Sequence, residues 1–271
     1  MGSSRTTGPG TFCDLLASYP RARPALPAAN ADRYVEEYKI NRNESGRSLY
    51  RVVAGLESWM HRQIARRQGE VELLELGAGT LNHRSYEPGV QSYDIVEPFD
   101  VLYQGSPWLT QIRRIYPTLS DVPLDSRYRR IISIAVLEHL EDLPTVIARS
   151  ALLLAPDGVF QAGIPGEGGL LWGLSWRLTT GLSYRLRTGA SYRAVMRHEH
   201  LNSAPEIRCV LEHFFEDVSV RWFPFPHFHL SFYGYIEARR PRIAACRQWI
   251  DARMPIEVLD GLTSTTAQSE S

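Results

Sequence analysis

Apolar residues recur at helical spacing in two stretches near the start of the chain, residues 32–41 and 48–67. In the second stretch they fall three or four positions apart, as on one face of a helix. The apolar members of the second stretch are Leu49, Val52, Val53, Leu56, Trp59, Met60 and Ile64. The pattern therefore predicts two helices before the first strand.

Short apolar runs bounded by turn residues follow. The run 71–76 leads into a Gly-x-Gly turn, and Tyr93–Val96 ends on Glu97-Pro98, so both are predicted strands. Further predicted strands are 130–136, 159–164, 218–223 and 230–238, and further predicted helices are 143–154 and 204–214. Strands that alternate with helices predict an α/β fold with a parallel sheet, and the last two runs predict a terminal hairpin.

Composition separates a central domain from two polar or proline-rich ends. Residues 1–29 are rich in Pro, Ala and Ser, and residues 263–271 are polar, so we expect both to be disordered. One domain is predicted over 30–262. Within it, 30–68 is expected to form a helical cover, and the long irregular stretch 166–203 is expected to be an insertion that covers the substrate.

The charge and cysteine content narrow the class of partner. The 30 acidic and 30 basic residues balance, which argues against nucleic acid as a partner and favours a small, roughly neutral molecule. Cys13, Cys209 and Cys246 are widely spaced and form no pair, so neither a disulfide framework nor a structural metal is predicted. No apolar run has the length of a signal peptide or a membrane span, and we expect a cytoplasmic protein.

Gly77 and Gly79 follow the first predicted strand, where open α/β sheets bind ligands. Glycine has no Cβ, so the backbone there can approach a ligand closely. Glu75 can accept hydrogen bonds from an ammonium group held over this loop. Glu97 ends the next strand, at the spacing where an acidic side chain meets ribose hydroxyls. The alternative interpretation of the two glycines alone is a tight turn without a ligand.

Three segments in this order resemble motifs of class I S-adenosylmethionine (SAM)-dependent methyltransferases that act on small molecules, including the UbiE/UbiG-like group. They are Glu75-Leu76-Gly77-Ala78-Gly79-Thr80, residues 93–98 and residues 135–142. The resemblance covers residues 73–165 well and the remainder weakly. It implies a Rossmann-like, seven-stranded, mostly parallel sheet with an antiparallel last strand and helices on both faces. It also implies SAM as the methyl donor and S-adenosylhomocysteine as the product.

The resemblance further implies which residues hold the cofactor. Glu75, Gly77, Ala78 and Gly79 would hold the methionine end of the cofactor, and Glu97 would hold the ribose. Asp121 would contact the adenine. The region near the methyl group would be lined by Ala135, Val136 and Glu138. Leu81 departs from the family pattern, which has a third small residue there, and Pro88 predicts a shortened first helix. A dinucleotide-dependent dehydrogenase would need that third glycine, so Leu81 disfavours this alternative.

A hydroxyl acceptor must be held in line with the methyl group and must lose its proton. His139 follows the strand implied to line the methyl, and His200 precedes a predicted helix start, so both are candidate catalytic residues. Tyr38, His198 and Arg187 are candidate substrate-binding residues. His139 could instead be an ordinary polar residue at a helix start. His198 and His200 could together ligate a metal, but no third ligand is evident, and we predict none.

The stretch 168–196 combines Leu and Trp with several Arg residues. Three interpretations stay open: a substrate lid, a peripheral membrane contact through 168–187, or a helix pair packed on its own domain.

The predicted function is methyl transfer from SAM to a hydroxyl of a small molecule, such as a sugar, a lipid-linked glycan or a natural-product intermediate. The alternatives are N-methylation of a small amine and a non-catalytic, SAM-binding scaffold protein. The sequence does not determine the oligomeric state.

Overall fold

A seven-stranded sheet organises the molecule. The computed structural model describes residues 14–26, 48–66, 71–188 and 192–253. The strands found in these residues are β1 (Leu73–Leu76), β2 (Tyr93–Val96), β3 (Arg114–Tyr116), β4 (Tyr128–Ile134), β5 (Leu154–Pro165), β6 (Phe215–Pro224) and β7 (Ser231–Pro241). Their order across the sheet is β3-β2-β1-β4-β5-β7-β6. Strands β1 to β5 pair in parallel, and β7 is antiparallel to both its neighbours, which confirms the predicted fold class.

Helices cover both faces of this sheet. They are α1 (Ser48–Ala65), α2 (Asp100–Tyr103), α3 (Leu143–Leu153), α4 (Leu170–Trp176), α5 (Leu182–Thr188), α6 (Tyr192–Glu199), α7 (Ala204–Phe214) and α8 (Ile243–Asp251). α1 packs on β5 and β7, while α3, α7 and α8 pack together. Gly163 of β5 permits this approach of α1, because a Cβ there would lie 2.8 Å from the Cβ of Met60.

The apolar strands are buried on both faces, as parallel strands between two helix layers must be. In β1, Leu74 and Leu76 join the apolar cluster that contains residues of α3 and α7. Leu73 joins the cluster that contains Ile64 of α1. The sheet is therefore held rigidly from both sides, and its strand ends are well-fixed positions for functional side chains.

Local capping explains why the helix 204–214 was predictable to the residue. The Ser203 hydroxyl accepts from the backbone N–H of Glu206, and the Glu206 carboxylate accepts from the Ser203 backbone N–H, forming a capping box. Pro205 sits in the first turn, where its missing N–H costs nothing. At α3, the Asp142 side chain accepts from the Thr145 N–H at the helix start.

Two expectations need correction. Residues 14–26 are not disordered: Leu16 and Tyr19 are buried, and the Tyr19 hydroxyl donates to Asn202 at 2.7 Å. The stretch 166–203 is not irregular, since it contains α4, α5, α6 and the π-helical turn Arg177–Gly181. The predicted short first helix is confirmed, because only the 3-10 turn Asn82–Tyr86 follows the glycine loop. The predicted helix 32–41 lies outside the described residues.

Among the described residues, no helix is both long enough and apolar enough to cross a bilayer.

Candidate functional site

The carboxyl ends of β1, β2 and β4 form a crevice at one edge of the sheet. β1 lies between β2 and β4, and the chain runs outward from β1 through β2 to β3 before it returns to β4. Such a reversal of strand order is where open α/β sheets bind ligands. The glycine loop, Glu97 and Ala135 follow these three strand ends, so the fold brings them together.

The glycine loop needs its two glycines for its backbone conformation. Gly77 and Gly79 have φ values of +68° and +53°, in the left-handed region that side chains disfavour. A Cβ on Gly77 would lie 2.5 Å from Cγ2 of Val136, so the loops after β1 and β4 touch. Ala135 has a φ of +53°, which costs a non-glycine residue about 1–2 kcal/mol. Ala78 is buried between the glycines.

Glu97 connects the glycine loop to the end of β2. Its carboxylate is buried, and Oε2 accepts from the Gly79 N–H at 2.8 Å while Oε1 accepts from the Phe99 N–H at 3.0 Å. An ionised carboxylate has about four acceptor positions, so these two bonds leave capacity for further donors. Glu97 is therefore both a structural link and a candidate acceptor for ligand hydroxyls.

Glu75 is more deeply enclosed than the sequence suggested. Its carboxylate accepts from the Tyr93 hydroxyl at 2.7 Å and is almost fully buried. Burial raises the pKa of Glu75, and the neighbouring His83 and the Tyr93 hydrogen bond only partly oppose this. Its predicted contact with an ammonium group stays a prediction.

Asp121 is exposed and holds its own turn together. Its Oδ2 accepts from the backbone N–H and the hydroxyl of Thr118, at 2.9 Å and 2.7 Å. The bond from the Thr118 N–H belongs to a capping box at the turn Leu119–Asp121, in which the Thr118 side chain also accepts from the Asp121 N–H. The predicted contact of Asp121 with adenine stays a prediction.

The structure brings the two predicted catalytic histidines together beyond β4. The rings of His139 and His200 meet edge-on, with centroids 5.0 Å apart. Nδ1 of His139 donates to the carbonyl of Glu199 at 2.8 Å, and Nδ1 of His200 lies 3.0 Å from Oε2 of Glu167. The backbone N–H groups of Leu201 and Asn202 donate to the Glu138 carbonyl, which ties the segment before α7 to the turn after β4.

Carboxylates surround this histidine pair. Burial alone would lower the pKa of His200, but the hydrogen bond to Glu167 and the charges of Glu138, Glu167 and Glu199 raise it overall. Burial would raise the pKa of Glu167, but its bonds with His200 and Trp172 lower it overall. Glu138 is 2% exposed, and its Oε2 has no hydrogen-bond partner among the described residues. A buried, unpartnered carboxylate oxygen is costly unless a ligand completes it.

Glu167 is a candidate functional residue that the sequence analysis missed. It lies 33 positions from His200, so no local pattern joins them. A signal did exist: Glu167 lies just beyond the carboxyl end of β5, where ligand-binding residues of open α/β sheets occur.

The predicted substrate-binding residues have different settings. Nδ1 of His198 lies 2.8 Å from the Pro24 carbonyl, so His198 holds the N-terminal segment. Arg23 of that segment donates to the carbonyls of His139 and His198. Tyr38 lies outside the described residues, and the side chain of Arg187 in α5 is not among those described. In the described ranges no group of three or more potential ligands is placed to hold a metal ion.

Comparisons with known proteins identify the fold. No protein-family model matches the sequence, and no curated protein matches it. Solved structures do match. A SAM-dependent methyltransferase of Thermotoga maritima, described as a possible histamine N-methyltransferase, is 15% identical, with a TM-score of 0.51 over 76% of this chain and 96% of that one.

Two further structures agree. The plantazolicin methyltransferase in complex with SAH is 11% identical, with a TM-score of 0.52 over 85% of this chain and 98% of that one. An O-methyltransferase family protein from Burkholderia thailandensis is 12% identical, with a TM-score of 0.50 over 85% of this chain and 68% of that one. At these identities the likeness shows the fold, so this chain has the class I fold seen in SAM-dependent methyltransferases.

Proposed function

We propose that this chain is a SAM-dependent methyltransferase that transfers a methyl group to a hydroxyl of a small molecule. One observation carries the proposal. The short segment 135–139 connects the glycine-loop crevice to the histidine pair. Val136 of this segment packs against Gly77, and His139 packs against His200. The proposed cofactor site and the proposed proton acceptor therefore adjoin at one edge of the sheet.

The residues of the crevice fit SAM. The left-handed glycine loop gives a ligand close access to the backbone, and Glu97 has acceptor positions for ribose hydroxyls. Gly77, Ala78 and Gly79 would hold the methionine end, and Ala135 the region near the methyl group. When bound, SAM supplies an electrophilic methyl group on a sulfonium.

His200 is the proposed general base. If Glu167 holds the proton-bearing Nδ1 of His200, the neutral ring has Nε2 as its acceptor. Nε2 would accept the proton of an acceptor hydroxyl held beside it, so that the hydroxyl oxygen would be ready for methylation. The Glu167 carboxylate stabilises the imidazolium that results, as a carboxylate does in hydrolytic triads. His139, packed edge-on against His200, restricts the position of the ring.

The test replaces His200 by Asn and measures SAH formation across a panel of hydroxyl and amine acceptors. Loss of a general base lowers kcat by about 10²–10⁴-fold. SAM affinity should be unchanged, and His229→Asn, on an exposed loop histidine, should leave kcat unchanged. Full activity of His200→Asn toward a hydroxyl acceptor would contradict the assigned role.

An amine acceptor is the second candidate, and the carboxylate cluster favours it. Glu138 has an unpartnered, buried oxygen, and Glu167 and Glu199 lie near the same histidines. Such a cluster would bind a cationic amine before its deprotonation. For an amine, Glu138→Gln should raise KM more than it lowers kcat. For a hydroxyl acceptor, this substitution should leave KM nearly unchanged.

A further inference from the structure

Five leucines face outward from one continuous helical stretch. α4, the π turn and α5 follow each other without a break over residues 170–188. We call the five side chains, which recur every four residues, the leucine surface: Leu170, Leu174, Leu178, Leu182 and Leu186. Their exposed fractions lie between 49% and 79%. An apolar row of this length on a protein surface marks a binding site.

The π turn helps to keep these leucines together. In an α-helix, residues four apart drift around the axis by about 40° at each step, because 3.6 residues make one turn. The turn Arg177–Gly181 has i→i+5 bonds and winds more loosely, so it opposes this drift at the middle of the row.

The other side of the stretch already packs against the protein through aromatic rings. Trp172 meets Tyr233 with centroids 5.8 Å apart, and Tyr184 meets Tyr192 at 5.2 Å. Tyr184 is almost fully buried. The leucines therefore lie on the side of the stretch that does not pack against the rest of the described protein. The stretch packs on its own domain through its aromatic side, and the interpretation as a helix pair packed on its own domain accounts for that side alone.

The charge of this region favours an anionic partner. The chain as a whole is balanced, yet residues 168–198 contain no Asp or Glu. They contain Arg177, Arg185, Arg187, Arg193 and Arg197. Four of these arginines have described side chains, and all four are exposed. A second copy of this chain on the same surface would bring like charges together, whereas an anionic surface would be attracted.

We propose that the leucine surface binds the anionic surface of a lipid bilayer. Helices that lie in a membrane interface combine an apolar face with Arg or Lys and Trp, as this stretch does. Phe225 and Leu230, in the connection between β6 and β7, are also half exposed. The turn Phe228–Leu230 in this connection contacts α4.

Membrane binding would place the histidine site next to the bilayer. The indole N–H of Trp172 in α4 donates to Oε2 of Glu167 at 2.5 Å, and the same oxygen lies beside His200. The binding inference does not depend on the proposed methyl transfer. Taken together, the two predict an acceptor whose hydroxyl is carried at the membrane surface.

The test is co-sedimentation of the full chain with vesicles of phosphatidylglycerol and phosphatidylcholine in equal parts, and with phosphatidylcholine alone. The test variant carries L170S, L178S and L186S, and the matched control carries L124S and I243S, which change exposed residues elsewhere. We expect the wild type to bind the anionic vesicles, less so at high salt. The leucine variant should bind at least about tenfold more weakly, since apolar insertion supplies part of the affinity. The control should bind like the wild type.

Three results would overturn the inference: no binding by the wild type, equal binding by the leucine variant, or self-association that the leucine variant abolishes in sedimentation velocity. Circular dichroism and SAM titration of the same variants provide the separate readout. Loss of vesicle binding with SAM binding retained assigns the effect to this surface. If the wild type does not bind SAM, the proposed function is contradicted. The vesicle result still tests the membrane inference, because that inference does not depend on SAM binding.

Discussion

Replacing Arg130 by Met should cost this fold a large part of its stability. Arg130 lies in β4 with 4% of its side chain exposed and makes a bidentate pair with the fully buried Glu87, at 2.7 Å and 3.0 Å. It also donates to Gln161 and to the Ile64 carbonyl, each at 3.0 Å. The substitution leaves the Glu87 carboxylate buried without its cation. Breaking a buried pair in this way costs about 3–5 kcal/mol, against a total stability of about 5–15 kcal/mol.

The double variant Glu87→Met with Arg130→Met separates the pair from the packing. It removes both charges, so most of the loss should be recovered. A loss of about 1–3 kcal/mol in the free energy of unfolding should remain, because Gln161 and the Ile64 carbonyl each lose a hydrogen-bond partner. Urea unfolding at neutral pH gives the free energies, with equal m-values required for the comparison.

The control is Arg208→Met, which breaks an exposed pair with Glu212 and should cost less than about 1 kcal/mol. A cost of Arg130→Met no larger than that of this control would refute the reasoning, as would a double variant less stable than Arg130→Met alone.

Three further predictions concern the glycine loop, the proposed general base His200 and the stability of the fold in acid. Gly77→Ala should weaken SAM binding at least about tenfold in calorimetry, because Cβ is disfavoured at a positive φ; Gly89→Ala, with no atom within 4 Å of the added Cβ, should not. Glu167→Gln should move the rise of kcat with pH to lower pH, because the carboxylate contributes to the raised pKa of His200; an unmoved profile would contradict the pairing. Burial raises the pKa of Glu87, but His83 and Arg130 lower it overall in the folded protein. The ionised Glu87 therefore stabilises the fold at pH values above the pKa of this carboxyl in the unfolded chain. This stabilisation is lost as the pH falls through the pKa of Glu87 in the folded protein. Acid unfolding followed by fluorescence should therefore be less steep for Glu87→Met with Arg130→Met than for the wild type.

The elements that were predictable are those whose signals are local. β2 matches the predicted residues because an apolar run ends on Glu97-Pro98, and α7 matches because Ser203, Pro205 and Glu206 mark its start. β3 was not located, because it is a three-residue edge strand with mostly exposed side chains and so has no buried pattern.

The missed features depend on contacts distant in sequence. Tyr19 bonds Asn202, and Arg21 pairs with Glu206 at 2.8 Å, so residues 14–26 are ordered by partners about 180 positions away. No local pattern could show this. The same holds for the contact between Glu167 and His200, whereas His139 and His200 were themselves candidates from the sequence.

Calorimetric titration with SAM and SAH tests the central claim most directly. The wild type should bind both in the micromolar range and should not bind NAD. Glu97→Ala should bind SAM at least about tenfold more weakly, because the substitution removes the buried carboxylate proposed to accept from the ribose hydroxyls. The matched control Glu216→Ala, at an exposed carboxylate on β6, should bind like the wild type. Absence of SAM and SAH binding, or binding of NAD in their place, would contradict the account.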